Sequence, residues 1–340
     1  MIEALVEQVV KAAESGVPLN IVGGNSKAFY GKDLSHLESL NTSGLTQLVS
    51  YEPSELVVQV QAGYPVKDLV ELLARENQML GFDPTDFGGS TIGGVIASGL
   101  SGSRRQFLGA GRDFVLGVDV IDGTGKHLQF GGQVMKNVAG YDVSRLQTGA
   151  MGCLGVITEV SLKVLPKSEQ EQTVRIALER GEVLSTMRGL SQKPETSGLA
   201  YWQGDLYARF SGSEPSVTAN CADVAGEVLE AGEAARFWQQ LDSLQLFQEH
   251  PDVWRVSTRP NHPDNGLSEA RLIDWGGAQR WLTEPPGELA AGYATRVKSS
   301  APDASRFAPL PAYQLRIHKN LKAVFDPKGI LNPGKMYPEF

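Results

Sequence analysis

Apolar positions recur at helical spacing through residues 2–13, where Ile2, Leu5, Val6, Val9, Val10 and Ala13 share one face before Gly16 and Pro18 end the run. Residues 19–22, Leu-Asn-Ile-Val, predict a short strand that runs straight into the turn Gly23-Gly24-Asn25-Ser26. Two strand-like stretches follow at 46–50 and 56–62, and Pro65 suits the first position of a helix carrying Val66, Leu69, Val70 and Leu73 on one side. Residues 114–122 and 126–130 read as a hairpin turned by Gly123-Thr124-Gly125. Val160, Leu162 and Val164 alternate with Ser161 and Lys163, the period-two pattern of a half-buried strand, and Pro166 closes it.

Residues 82–111 are dense in Gly, Ser and Thr; beyond 166 that style stops. The pattern there becomes a strand at 173–178, a helix, a strand pair at 199–203 and 206–211, helical segments between 215 and 247, and strands at 253–258, 271–275 and 292–297. A helix at 313–325 precedes a Pro- and Gly-rich tail. The chain has 340 residues, enough for two cores. The expected division is a first domain at 1–166, an α+β second domain at 167–300, and a C-terminal helix and tail at 301–340 that return to the first.

Composition narrows the function. Hydrophobic residues at 41% and charged residues at 21% suit a packed globular chain. A net charge of −8 argues against a binder of nucleic acid, which needs a basic face. No uninterrupted apolar run is long enough to span a bilayer, and Glu3 and Glu7 stand where a secretory signal carries basic residues. A cytoplasmic location with no direct membrane insertion is expected. Cys153 and Cys221 form no CxxC pair and imply neither a disulfide framework nor a metal site.

Two glycine-rich segments carry the candidate chemistry. A diphosphate must be met at close range by backbone N–H groups, and glycine leaves them accessible. Gly23-Gly24-Asn25-Ser26-Lys27 and Gly88-Gly89-Ser90-Thr91-Ile92-Gly93-Gly94 both mix glycine with hydroxyl or amide side chains and together could form an anion nest. The spacing GxGxxG occurs nowhere, which disfavours a nicotinamide-type dinucleotide fold. The tail at 329–336 nearly matches a P-loop, but Met336 replaces the metal-binding hydroxyl and too little chain follows for a helix.

The order of these segments resembles the FAD-binding domain of the vanillyl-alcohol oxidase / p-cresol methylhydroxylase (PCMH) superfamily. The matching residues are Ile21-Val22-Gly23-Gly24-Asn25-Ser26, the run 51–63, Phe82-Asp83-Pro84 leading into 89–99, the run 113–117, Lys136-Asn137-Val138-Ala139-Gly140-Tyr141-Asp142, the run 152–160 and the tail 325–335. The resemblance brackets the whole chain. It implies a PCMH-type domain of two α+β subdomains with a smaller α+β, ferredoxin-like cap. It also places Gly23, Gly24, Asn25, Ser26 and Lys27 with Pro84, Gly89, Ser90, Thr91, Gly93, Gly94, Ala97, Ser98 and Gly99 around the pyrophosphate. Gly155, Val156 and Ile157 would hold the adenosine–flavin region through backbone contacts, while Lys136, Asn137, Asn332 and Lys335 would border the flavin.

Within the superfamily, the short chain, Leu272-Ile273-Asp274-Trp275-Gly276-Gly277 and the run 136–146 resemble the smaller flavin subunits of bacterial glycolate oxidases. That implies a larger FAD-binding subunit and an iron–sulfur subunit as partners, a small 2-hydroxy acid as substrate and glyoxylate as product. The larger subunits resemble D-lactate and 2-hydroxyacid dehydrogenases, which carry a histidine-rich metal motif, whereas His36, His127, His250, His262 and His318 include no two at ligand spacing, so no metal is expected here. Bicovalent relatives use a loop histidine and a cysteine that 23–30 and 84–102 lack; non-covalent FAD is expected. Cys153 reads as a small buried hydrophobe.

If the chain is itself a dehydrogenase, glycolate would give hydride to the flavin while a base takes the hydroxyl proton and a cation holds the carboxylate. Arg104, Arg105, Arg255, Arg259, Lys136 and Tyr141 are available, and spacing selects none; Arg105 follows the flavin loop, and His318 could serve as base. The competing reading is an accessory subunit that relays electrons while the larger subunit oxidises glycolate. A non-catalytic scaffold is a third, against which the intact glycine loops count.

Overall fold

The computed structural model describes residues 1–132, 142–260, 270–289, 291–301 and 305–340. The chain divides into two compact units: Met1–Leu100 with Ala110–Pro166 and Ser305–Phe340, and Ser101–Gly109 with Lys167–Ala304. The short segment Ser101–Gly109 thus leaves the first unit, a detour that the sequence division at 166 did not contain.

The first unit has two parts. Helix Ile2–Ser15 buries Leu5, Val9 and Ala12 and ends at Gly16, whose φ of 69° closes it in the left-handed region. It packs on the parallel pair Leu19–Val22 and Glu38–Asn41 in one apolar cluster with Ile121, Val156, Ile330 and Leu331. The C-terminal tail joins that pair: Leu19 N–H donates to Ile330 O at 2.7 Å and Asn332 N–H to Leu19 O at 3.1 Å.

The second part is a five-stranded antiparallel sheet in the spatial order Leu48–Glu52, Val57–Gln61, Val156–Lys163, Val115–Ile121 and His127–Gly131. Alternate residues Val58, Val60, Val118, Val160 and Leu162 meet Leu69 and Leu73 of helix Val66–Arg75 and Ile92, Val95 and Ile96 of helix Ile92–Ser98. Burying these side chains contributes about 1.5–3 kcal/mol each. The expected hairpin is present. Pro65 is the residue before the helix, at ψ 136°, and not its first turn. Leu56 is not in a strand either; at φ 56° it caps a short turn.

In the second unit, Gln170–Ala177, helix Val183–Leu190, Thr196–Trp202, Asp205–Gly212, helix Glu214–Ala222 and Glu227–Val228 follow the β-α-β-β-α-β connectivity of a ferredoxin-like layer. Leu272–Asp274, Gln279–Leu282, Val253–Ser257 and Tyr293–Lys298 extend it to eight antiparallel strands. The segment Ser101–Gly109 is held within this unit by the residues that the sequence singles out. Ser103 Oγ donates to Asp274 Oδ2 at 3.2 Å, Trp275 Nε1 donates to Gly102 O at 3.1 Å, and Arg104 pairs with Glu171. Burial pushes the Asp274 carboxyl up to about 7.

Candidate functional site

Strand Leu19–Val22 delivers the first glycine loop against the second. A Cβ on Gly24 would stand 1.9 Å from Gly89 O, and one on Gly23 would stand 2.7 Å from Thr91 Oγ1. These glycines are therefore required by loop packing and not only by ligand access. Asn25 takes φ 55°, a region that asparagine tolerates. Ser26 Oγ meets Ser90 Oγ at 2.8 Å, Lys27 Nζ donates to Ser90 Oγ at 2.7 Å, and the Lys27 ammonium lies 5.3 Å from the centre of the Phe87 ring. Burial lowers the Lys27 pKa to about 8, with the Asp86 carboxylate pulling the other way.

The two loops are not equivalent as anion sites. In the second, Asp86 Oδ1 already accepts from Gly88 N–H at 3.0 Å and Ser90 N–H at 3.2 Å. The start of helix Ile92–Ser98 is also satisfied from within: Ile92 N–H donates to Tyr64 O, Gly93 N–H to Ala62 O and Gly94 N–H to the Thr91 hydroxyl. In the first loop, by contrast, no acceptor among the described residues is paired with the amides of Gly24, Asn25 and Ser26.

The far wall is helix Ile92–Ser98, whose Gly94, Ala97 and Ser98 share one face at i, i+3 and i+4. Gly99, at φ 64°, closes it, and Met151 N–H donates to Ala97 O at 2.8 Å, bringing the turn that contains Met151 onto the site. The C-terminal tail supplies the third side. Asn332 Oδ1 accepts from Ile21 N–H at 2.7 Å while its Nδ2 donates to Met151 O at 2.7 Å. The tail is fixed by the buried pair of Lys322 and Asp326, 2.7 Å apart; Lys322 Nζ also donates to Cys153 O and Leu331 O, and Asp326 accepts from the amides of Ile330 and Leu331.

These parts enclose a cavity of about 270 Å³, lined by the 23–27 loop, Thr91, Gly94, Ala97, Ser98, Met151, Asn332 and Lys335. It shares Gly23, Gly94, Ala97, Met151 and Asn332 with an inner recess of about 70 Å³ that adds Thr42, Gly93, Gly152, Gly155 and Ile157. A Cβ on Gly94 would press on a single atom, Thr91 Oγ1 at 3.2 Å, the hydroxyl that caps this helix, and on no backbone or core side chain. Unpaired loop amides, the Lys27 and Lys335 ammonium groups and a narrow apolar recess fit a dinucleotide: the anionic middle at the amides, the flat rings against the glycine and alanine wall.

Several expected residues stand elsewhere. Pro84, Gly89, Ser90 and Gly99 do not line the cavity: Ser90 anchors Lys27 from behind, and Gly99 ends the helix. Val156 is fully buried in the cluster under helix Ile2–Ser15. Arg105 stacks on Trp275 with its guanidinium 4.1 Å from the ring centre, and His318 stacks on Tyr337 and Phe340. Lys136, Asn137 and Tyr141 lie outside the described residues. The Cys153 thiol is pushed up to about 11 by burial and stays protonated. Thr42 and Met151 were missed by sequence reasoning. Met151 had one usable signal, its place in the glycine turn 149–155, where it takes φ 51°.

Residues 2–131 match the FAD binding domain family, and residues 311–336 match the C-terminal domain of FAD linked oxidases. The 4-ethylphenol oxidase of Gulosibacter chungangensis superposes with a TM-score of 0.72 at 14% identity, covering 99% of this chain and 88% of that one. p-Cresol methylhydroxylase superposes with a TM-score of 0.71 at 13% identity, over 100% and 88%. The fold is therefore that of the PCMH-type flavoproteins, and the cofactor is FAD. The glycolate oxidase subunit GlcE of Escherichia coli (strain K12) is 43% identical over 99% of this chain and 97% of that protein. The subunit GlcD of Bacillus subtilis (strain 168) is 34% identical over 38% of this chain and 28% of that protein. This chain belongs to the GlcE family of glycolate oxidase subunits, within the FAD-linked oxidoreductases.

Proposed function

We propose that this chain is the smaller, FAD-carrying subunit of a complex that oxidises glycolate to glyoxylate, and that it relays electrons or completes the assembly while a larger FAD-binding subunit takes hydride from the 2-hydroxy acid. An iron–sulfur subunit would receive the electrons. Any membrane contact would run through the partners; among the described residues no helix is long and apolar enough to cross a bilayer.

One observation carries this reading. The described residues form a dinucleotide cradle within this chain, whereas none of the described candidates for cation and base, Arg104, Arg105, Arg255, Arg259 and His318, lines either cavity, and Arg105 and His318 are held on aromatic rings. Bound flavin supplies hydride and single-electron chemistry. The protein's own residues would bind and orient it: the amides of Gly24, Asn25 and Ser26 and the Lys27 ammonium would hold the diphosphate, Gly94 and Ala97 would leave room for the chain of the cofactor, and Asn332 would fix the wall against which it lies.

An anaerobic titration of the isolated, FAD-loaded subunit with glycolate tests the division of labour. The flavin absorbance is expected to stay unchanged until the larger flavin subunit is added. Full bleaching of the isolated subunit would instead identify a stand-alone 2-hydroxyacid dehydrogenase.

A further inference from the structure

Among the described residues, the cations that line the cavity are Lys27 and Lys335, and they are anchored on different parts of its wall. Lys27 reaches from the first glycine loop to the second, where it meets the Ser90 hydroxyl, the Phe87 ring and the field of Asp86. Lys335 is gripped by the turn at 31–32 instead. Lys32 N–H donates to Lys335 O at 2.9 Å, and Lys335 Nζ donates back to Lys32 O at 2.9 Å, so main chain and side chain hold the same residue. Gly31 makes this clamp possible. A Cβ there, at φ 84°, would stand 2.8 Å from Lys335 O, 2.8 Å from Met151 Cε and 3.1 Å from Lys335 Cε. The stem of Lys335 therefore runs beside Met151, which lines both the cavity and the inner recess.

The charges of the cofactor do not account for both cations in one redox state. Oxidised FAD carries its negative charge on the diphosphate alone, and the amides of Gly24, Asn25 and Ser26 with Lys27 on the same loop answer it. Lys335 then has no ligand charge left to meet. Asp33 attracts it from a distance, but the Asp33 oxygens accept from the amide and hydroxyl of Ser35. Burial accordingly holds the Lys335 amine below its usual pKa. Reduction changes the balance. Two electrons and one proton added to FAD leave one negative charge on the ring edge that bears N1, and a cation fixed in advance stabilises charge that develops beside it.

We propose that Lys335 sets the reduction potential of the flavin by meeting the negative charge that two-electron reduction places on its ring. The proposal rests on the reading that FAD occupies this cavity, and it names how the chain tunes the cofactor it holds. Stabilising the reduced form raises the potential, which makes the flavin a better acceptor of electrons from a partner.

The test is an anaerobic reductive titration of the full-length, FAD-loaded protein against a reference dye, which reads the midpoint potential, together with the affinity of the apoprotein for oxidised FAD. Lys335→Met and Lys335→Gln remove the charge, the second keeping a donor for Lys32 O, and Lys335→Arg keeps the charge. Both neutral variants are expected to lose tenfold in the ratio of reduced to oxidised FAD affinity, a midpoint about 30 mV more negative than that of the wild type for a two-electron couple. The arginine variant is expected to recover most of that difference. An unchanged midpoint in a neutral variant that still binds FAD overturns the proposal. So does loss of oxidised-FAD binding in both neutral variants, which assigns Lys335 to the diphosphate or to folding, two roles that melting curves separate. An equally large fall in the arginine variant overturns it as well, because it assigns the shift to the clamp and not to the charge. These three outcomes leave the cavity reading standing, whereas wild-type protein without saturable FAD binding overturns both.

Discussion

Lys27 is the most informative single residue. It ends the loop whose Gly24, Asn25 and Ser26 amides are unpaired among the described residues, and burial holds its pKa at about 8, below the 10.5 of free lysine. The folded apoprotein therefore binds fewer protons than the unfolded chain between those values, and its stability rises with pH across that window. An anion placed beside Lys27 acts in the other direction, because it favours the charged form. FAD affinity is expected to fall roughly tenfold between about pH 7 and about pH 9.5, and the Lys27→Met protein should bind more weakly with a flat profile. A flat wild-type profile would remove Lys27 from the diphosphate. Lys27 was legible in sequence because it follows a glycine cluster. Thr42 was not, since only the parallel pairing of Leu19–Val22 with Glu38–Asn41 brings it to the recess. The glycines were legible as a set and not as individuals: Gly24 and Gly93 are needed for contact with Gly89 and Ala62, whereas at Gly94 an added Cβ would press only on the Thr91 hydroxyl.

Among elements, the C-terminal tail depends on one buried ion pair. Lys322 and Asp326 are 7% and 0% exposed in their side chains, and Asp326 receives two tail amides that lead to Asn332. Removing one partner of such a pair strands a buried charge. Lys322→Met is expected to lower the unfolding free energy by about 3 kcal/mol in urea titration, and a loss below about 1 kcal/mol would show that the tail is held by other contacts. Periodicity exposed most elements of both units, because it depends on which face of an element is apolar and not on what that face meets. It could not show that Ser101–Gly109 joins the second unit, since Ser103 and Asp274 are partners across 171 residues of chain. Nor could it show that helix Ala312–Phe325 leaves Tyr313, Ile317 and Val324 exposed, since an outward apolar stripe has the same spacing as a buried one.

At the scale of the molecule, the first glycine loop, helix Ile92–Ser98 and the returning C-terminal tail bring one cavity together from three separate stretches of chain. The central claim is that FAD occupies the cavity between the 23–27 loop, helix Ile92–Ser98 and Asn332. Titrating FAD into the apoprotein of the wild type and of Gly94→Val, followed by flavin fluorescence, tests it most directly. The Cβ of a valine there would press only on the Thr91 hydroxyl, 3.2 Å away, and on no core side chain, so the variant should still fold, which its melting curve checks. The wild type should saturate at one FAD per chain, and the variant should bind at least tenfold more weakly. Equal affinity in the two proteins, or no saturable binding by the wild type, would contradict the account.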